Sequence, residues 1–232
     1  MLVLVTRPRE QAGETAALLL AAGHEAIIDP VLEIRRLPGR RPTEQVAAVA
    51  ITSVNAVPAL PDLPSTLPVF AVGTPTARAL RSAGCEPAGV AAGDGRDLAE
   101  LIRSMLHAPA TVLHLCGRDT HAGLAEALVA GGLGYLPLAV YEAVPATHLS
   151  EEAARALSEG RIDAALFFSP RSAATWARLV CAAGLVECVR PMRAACLSEA
   201  VAAELKDLPF AAVRIAASRD HKALVRCLDG PG

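Results

Sequence analysis

Aromatic residues are scarce in this sequence: they make up 3% of its 232 residues, whereas hydrophobic residues make up 53%. The core must therefore be built from alanine, valine, leucine and isoleucine. Such a mixture is typical of parallel strands that are buried on both faces and covered by alanine-rich helices. The composition and length predict an α/β protein with one large domain or two small ones.

An excess of positive charge is also missing, because 22 lysines and arginines face 24 aspartates and glutamates. A protein that neutralises a phosphate backbone needs a basic surplus, so we expect no nucleic acid partner. The positive charge is nearly all arginine, since the only lysines are Lys206 and Lys222. Forked guanidinium groups suit an acidic ligand, although a GC-rich genome would give the same composition.

The sequence also lacks a CxxC motif and the patterns of a signal peptide and a membrane span, and these absences concern where in the cell we expect the protein. The six cysteines form no CxxC motif, which favours reduced thiols and a cytoplasmic protein. The stretch Met1–Val5 has no basic segment before it and no cleavage site after it, so we interpret it as a first strand. The longest uncharged stretch, residues 45–61, contains prolines and Asn55, so we expect no membrane span.

Common catalytic and nucleotide-binding motifs are absent as well. The chain has neither a P-loop nor a GxSxG motif, and the short Gly93-x-Gly95 pattern is no dinucleotide fingerprint. His114, Cys116 and His121 lie close together in the sequence, but no fourth metal ligand is apparent. We therefore expect no metal and no dinucleotide cofactor.

What the chain does contain is a regular alternation of apolar runs, small or hydroxyl residues, and helices. Four pairs of segments resemble each other in the same order along the chain. They are Val3–Gly23 with Val112–Gly132, Ile51–Ser53 with Phe167–Ser169, Val72–Leu80 with Leu197–Leu205, and Ala91–Leu101 with Ala216–Leu224. This pattern predicts βα units, parallel sheets and an internal duplication that forms two lobes.

The repeats leave the boundary between the lobes open. A single division near Pro109 is one solution. In the other, the β-rich stretches Val31–Leu37 and Leu138–Pro145 are paired linkers. The central segment then forms one lobe and the two ends of the chain form the other, as discontinuous domains commonly do.

Hydroxyl residues recur where predicted strands end and helices begin. Open α/β sheets bind ligands at this edge, where helix N-termini offer free N–H groups and a partial positive charge. The residues of this kind are Thr6, Ser53, Thr74, Thr76, Ser169, Ser198 and Ser218. Each one alone could be an ordinary helix cap, so the prediction of an anion site depends on the whole set.

Tyr141 is one of only two tyrosines and lies in the second linker stretch. There its phenol could donate a proton to a leaving oxygen, or it could serve only as a half-buried support between the lobes.

Together these segments resemble the uroporphyrinogen-III synthase family. The matching segments run in family order and cover nearly the whole chain: Val5–Pro8, Thr52–Val57, Ala71–Ala77, Cys116–Arg118, Val140–Tyr141 and Phe168–Ala173. The resemblance implies an α/β fold with two flavodoxin-like lobes, whose parallel sheets are joined by a two-stranded β linker. It favours one lobe of residues 1–34 and 145–232, a second of residues 37–143, and linker strands near 31–37 and 138–145.

The resemblance also implies a reaction in heme biosynthesis. The family cyclises hydroxymethylbilane, a linear tetrapyrrole with eight carboxylates, to uroporphyrinogen III, with loss of water and inversion of the last pyrrole ring. On this basis we expect a cofactor-independent, cytoplasmic monomer with no membrane partner and only transient contact with the enzyme that makes hydroxymethylbilane. A non-enzymatic two-lobed sensor of an anionic metabolite is the alternative from another class.

By the same resemblance, Tyr141 is the residue expected to assist hydroxide loss. The residues expected to bind substrate are Thr6, Arg7, Thr52, Ser53, Gly73, Thr74, Thr76, Gly117, Arg118, Ser169, Arg171, Ser172 and Ser198. One turn departs from the family pattern, because Val201 stands where a threonine is often found. Ser198 begins the same predicted helix and could take over that contact.

Overall fold

A computed structural model describes residues 1–38, 43–62, 66–120, 122–218 and 220–229. Its contacts divide the chain into two compact units. Unit 1 consists of Met1–Glu33 and Val144–Gly232, and unit 2 consists of Ile34–Ala143.

Strands and helices alternate along the chain, as the sequence predicts. The strands are β1 (Leu2–Val5), β2 (Glu25–Ile28), β3 (Leu32–Arg36), β4 (Ala48–Ile51), β5 (Val69–Val72), β6 (Gly89–Ala91), β7 (Thr111–Gly117), β8 (Gly134–Pro145), β9 (Ala164–Phe167), β10 (Arg193–Cys196) and β11 (Ala212–Ile215). The α-helices are α1 (Arg9–Ala21), α2 (Gly73–Ser82), α3 (Gly95–Met105), α4 (Gly123–Ala130), α5 (Glu151–Ser158), α6 (Pro170–Ala182), α7 (Glu199–Ala203) and α8 (His221–Arg226).

Unit 1 contains a five-stranded sheet in the order β11-β10-β9-β1-β2, and every neighbouring pair is parallel. With β1 as the first strand, this is the 2-1-3-4-5 order of flavodoxin-like folds. Its core includes most of the chain's few large aromatics. The ring of Trp176 lies 5.2 Å from that of Phe167 and 5.8 Å from that of Phe210.

Unit 2 has the same strand order, 2-1-3-4-5, when β7 is counted as its first strand. Its sheet runs β8-β7-β4-β5-β6 with parallel pairs, and β3 is added beside β8. Strand β4 is fully buried along its whole length. This explains why its sequence is a continuous apolar run rather than an alternation of apolar and polar residues.

The two sheets are built from interlaced halves of the chain. The repeated segments found in the sequence occupy equivalent strands: β1 corresponds to β7, β4 to β9, β5 to β10 and β6 to β11. Apart from β3, each half therefore contributes its first two strands to one sheet and its last three to the other. The predicted fold class, with two flavodoxin-like lobes and parallel sheets, is confirmed.

The chain passes between the units within β3 and within β8, in the two stretches that the sequence suggested as linkers. The amide of Leu37 donates to the carbonyl of Val140, and the amide of Ala146 donates to the carbonyl of Val31. These bonds give β3 and β8 opposite directions. The second linker is not separate from the sheet, because it is the end of a single 12-residue strand.

Two helices follow their strands in different ways. The segment after Ser53 is a 3-10 helix, Val54–Asp62, in which Pro58 has no amide to donate to an α-helical bond. After β7, which ends at Gly117, helix α4 begins only at Gly123. Over the ranges that the structure describes, no helix has both the length and the apolar character of a membrane span.

Candidate functional site

A cavity of about 620 Å³ lies within unit 2, where β4, β5, β6 and β7 end. This is the edge of an open α/β sheet at which ligands bind, and the volume is in the usual range for small-molecule sites. Four residues predicted from the sequence line it: Thr52, Ser53, Gly117 and Tyr141. Residues separated by almost ninety positions in the chain are thus brought together by the parallel order of the strands.

Tyr141 lies directly against the backbone of Gly117. A β-carbon at position 117 would be 2.8 Å from Cζ of the tyrosine and 3.0 Å from its hydroxyl oxygen, so only glycine leaves room for the ring. The backbone carbonyl of Tyr141 accepts a hydrogen bond of 2.9 Å from the amide of Arg118. Among the residues that the structure describes, the phenol itself has no hydrogen-bond partner. Its proton is therefore available to a ligand in the cavity.

Thr52 is held by a buried histidine. Its Oγ1 lies 3.0 Å from Nε2 of His114, and Nδ1 of the same ring lies 2.9 Å from the hydroxyl of Tyr135. His114 is only 1% exposed, and burial lowers the pKa of its imidazole to about 4. The ring is therefore neutral at pH 7 and has one donor and one acceptor nitrogen.

Ser53, the start of α3, and Asp119 and Thr120 after β7 complete the polar lining. Ser53 Oγ accepts a hydrogen bond from the amide of Asn55 at 3.3 Å. Asp94 caps α3 by accepting from the amide of Arg96 at 2.7 Å, so a carboxylate of the protein already occupies this helix N-terminus. The exposed guanidinium of Arg96 supplies a cationic group to the lining.

Sequence reasoning missed two parts of this site. It compared Gly93–Gly95 only with dinucleotide fingerprints and did not consider that the turn could line a cavity. It considered His114 only as a metal ligand. Among the described residues, no cluster of three or more histidine, cysteine or acidic side chains could hold a metal ion, and His121 lies outside the described residues.

The other residues predicted in unit 2 do not line the cavity. Thr76 is 4% exposed, because it lies on the inner face of α2. Thr74 is exposed in the first turn of that helix, next to Gly73, whose φ of 77° favours glycine. Arg118 is exposed and forms an ion pair of 2.8 Å with Glu142.

In unit 1, several predicted hydroxyls are used within the fold. Thr6 is fully buried, and its Oγ1 donates to the carbonyl of Leu166 at 2.8 Å. Ser169 caps α6 by accepting from the amide of Ser172 at 3.1 Å, and the two hydroxyls lie 2.8 Å apart. Ser172 itself is 3% exposed. Thr6 and Ser172 therefore present no accessible oxygen to a ligand.

Arg7 is also tied into unit 1. One terminal nitrogen lies 3.1 Å from Nε2 of His221, and the other donates to Gln11 at 2.7 Å. The guanidinium lies 4.4 Å from the ring centre of Phe168. Burial lowers the pKa of Arg7 to about 10, so the group remains charged at neutral pH.

Arg171 and Ser198 are more accessible. Arg171 is exposed in the first turn of α6. Ser198 is half-buried, and its side chain makes no capping bond to α7.

Comparison with known proteins identifies the family. The model of the family described as uroporphyrinogen-III synthase HemD matches residues 13–226. A uroporphyrinogen-III synthetase structure from Helicobacter pylori has a similar fold, with a TM-score of 0.68 and 20% identity, covering 98% of this chain and 97% of that one. A mutant uroporphyrinogen III synthase from the extremely thermophilic bacterium Thermus thermophilus matches with a TM-score of 0.58 and 18% identity, covering 99% of this chain and 98% of that one. No curated protein sequence matches significantly.

The two structural likenesses agree with the fold of two flavodoxin-like units, and the family match covers both units. The chain therefore belongs to the uroporphyrinogen-III synthase family and is a cyclising lyase of heme biosynthesis.

Proposed function

We propose that the cavity of unit 2 holds the reacting end of hydroxymethylbilane and that Tyr141 donates a proton to the departing hydroxide. The observation that carries this proposal is the phenol of Tyr141, which has no hydrogen-bond partner among the described residues and lies in a cavity shared with Thr52 and Ser53. Such a phenol can turn its proton toward a leaving oxygen without first breaking a bond to one of those residues.

The chemistry needs little more than this proton. The electron pair of the pyrrole nitrogen expels the hydroxyl group as the carbon–oxygen bond breaks, and the proton of Tyr141 makes the leaving group water. The resulting cationic carbon is attacked by the last pyrrole ring, and the rearrangement inverts that ring. The proton lost when aromaticity is restored returns to the phenolate, so water is the only molecule released.

The remaining task is to hold a flexible polyanion in a shape that can cyclise, which is mainly a matter of orientation. The hydroxyls of Thr52 and Ser53 would bind carboxylates in unit 2, with Arg96 as a nearby cation and the backbone of Gly117 beside Tyr141. In unit 1, Ser169, Arg171 and Ser198 are the accessible residues proposed to bind carboxylates. Thr6, Thr76 and Ser172 are left out because they are buried.

The product isomer tests this proposal. We expect the purified protein to convert hydroxymethylbilane to the type III isomer faster than the spontaneous closure to type I, as measured by chromatography of the oxidised products. A protein-free sample gives the spontaneous rate. If the sample with protein contains type I alone, the proposed reaction is wrong.

We also propose that the enzyme acts as a cytoplasmic monomer and meets the enzyme that makes hydroxymethylbilane only transiently. All six cysteines are free, which suits a reducing compartment. Sedimentation at micromolar concentration should give the mass of one chain, with or without the preceding enzyme. A stable dimer or a stable complex would contradict this part of the proposal.

A further inference from the structure

We infer that Tyr135 and His114 act as positioning residues that turn the hydroxyl of Thr52 into a hydrogen-bond donor for a substrate carboxylate. The inference deepens the proposed function and depends on it for the identity of the ligand. It assigns a role to the buried histidine, which the reaction as described above does not use.

Three neighbouring strands position the side chains of Thr52, His114 and Tyr135. Thr52 directly follows β4, His114 lies in β7, and Tyr135 lies in β8. Strand β7 pairs with β4 on one side and with β8 on the other. The distances of 3.0 and 2.9 Å on the two sides of the imidazole are those of good hydrogen bonds. Each group therefore lies in or directly after a strand of one sheet, and the backbone pairing of the strands fixes the spacing of the three residues.

We call the hydrogen bonds that connect Tyr135, His114 and Thr52 a row. A neutral imidazole allows only two donor-to-acceptor directions along this row. In one, Nδ1 carries the hydrogen and donates to Tyr135, while Nε2 accepts the proton of Thr52. The threonine then offers only lone pairs to the cavity, which a carboxylate would avoid. In the other, Tyr135 donates to Nδ1, Nε2 donates to Thr52, and the proton of the threonine is free to enter the cavity.

The second direction is favoured by the acidity of the groups. A phenol is a stronger donor than an aliphatic hydroxyl, so the unprotonated nitrogen of His114 should accept from Tyr135 rather than from Thr52. Each donation polarises the next bond in the row, which strengthens the final bond from Thr52. A carboxylate ligand accepts hydrogen bonds and so stabilises the same direction.

The imidazole's nitrogen resonances test the direction without any turnover. In the ligand-free protein at pH 7, ¹⁵N NMR should show His114 with its hydrogen on Nε2, with the signal assigned by its loss in His114→Gln. In Tyr135→Phe the donor to Nδ1 is gone, so the Nδ1 resonance should shift toward that of a ring nitrogen without a hydrogen bond, while Nε2 keeps its hydrogen. Observation of the Nδ1–H form in the unsubstituted protein would overturn the inference.

A double-mutant cycle tests the effect on binding. Thr52→Val should raise KM for hydroxymethylbilane roughly 10-fold, since it removes a bond to a charged group. Tyr135→Phe should raise KM by roughly threefold, with kcat nearly unchanged, and should have no further effect when Thr52→Val is already present. Additive effects of the two changes would mean that Tyr135 does not act through Thr52.

These experiments separate the inference from the proposed function. If the NMR result is as expected but no type III isomer forms, the proposed reaction is wrong although the direction of the row is right. If type III forms but the NMR result or the cycle fails, the function stands and the positioning role does not. Thermal unfolding of each variant shows whether a rise in KM reflects loss of folded protein, and Ser104→Ala, an exposed hydroxyl at the far end of α3, is the matched control.

Discussion

The two units share a strand order, but the side chains at the carboxyl ends of their strands make different contacts. In the repeat, Thr52 of unit 2 corresponds to Phe168 of unit 1. Thr52 lines a cavity and is bound by His114, whereas Phe168 lies beneath the guanidinium of Arg7, which is also held by Gln11 and His221.

A hydroxyl at a helix start therefore does not by itself indicate a ligand site. Thr6 and Ser169 satisfy backbone groups of their own unit, and Thr6 has no accessible surface. In unit 2 the hydroxyl of Tyr141 has no hydrogen-bond partner within the described ranges, and it lies in a cavity. In unit 1 the hydroxyl of Thr6 and the guanidinium of Arg7 are thus engaged within the fold, whereas in unit 2 Thr52 and Tyr141 line a cavity.

The largest expected effect concerns Tyr141. If unit 2 carries out the proton transfer, Tyr141→Phe should lower kcat by about 100-fold or more, since a positioned acid contributes roughly that much. Its midpoint of thermal unfolding should be unchanged, because the removed hydroxyl has no partner among the described residues. Steady-state kinetics with Ser104→Ala as the control would measure this, and wild-type turnover in Tyr141→Phe would remove the tyrosine from the mechanism.

Acid should weaken unit 2 through His114. Burial lowers the pKa of this imidazole from 6.5 to about 4, so between these pH values the unfolded chain binds a proton that the folded chain does not. The free energy of unfolding should therefore fall by about 3 kcal/mol as the pH drops from 7 to 4. The two partners of the ring, Thr52 and Tyr135, are uncharged throughout this range.

Denaturant unfolding at both pH values would measure this fall. The His114→Gln variant lacks the titrating group and should lose about 3 kcal/mol less between pH 7 and pH 4 than the unsubstituted protein. An equal loss in the two proteins would show that the buried imidazole is not the source.

A matched pair of threonine substitutions tests whether Thr6 of unit 1 and Thr52 of unit 2 have different roles. Thr6→Val should lower the free energy of unfolding by about 1 kcal/mol, because it removes a buried hydrogen bond. It should leave KM unchanged. Thr52→Val should raise KM, and it should also lower the free energy of unfolding by about 1 kcal/mol, because it leaves Nε2 of the buried His114 without its partner. Parallel measurements of unfolding and kinetics on both variants decide this, and a raised KM in Thr6→Val would contradict the assignment of Thr6 to the fold.

The smallest effect concerns Ser169, whose role as a cap competes with its proposed role as a carboxylate contact. Ser169→Ala should destabilise α6 by about 1 kcal/mol, and Ser169→Gly by only a few tenths, since glycine is a tolerated cap. If the hydroxyl also binds substrate, both variants should raise KM equally. If instead Ser169→Ala raises KM more than Ser169→Gly does, in line with its larger loss of stability, Ser169 acts only as a helix cap.

The sequence predicted the fold more completely than the site, for physical reasons. Apolar runs and helix periodicity depend on local burial, so the strands and the repeats were visible in the chain. Whether Thr52 or Thr76 reaches a ligand depends on how the end of β4 and the face of α2 are oriented in the folded unit. The role of His114 depends on Tyr135, twenty-one positions away and on the neighbouring strand. No spacing rule connects them, because the pairing register of β7 and β8 is a property of the folded sheet.

The interlaced sheets also constrain how the protein can be made. Strands β1 and β2 leave the ribosome first, but the neighbours that complete their sheet, β9 to β11, come last. All strands of the other unit's sheet are synthesised in between. The segment Met1–Glu33 is therefore synthesised before all of unit 2, and the sheet of unit 1 can be completed only after β9 to β11 have been made.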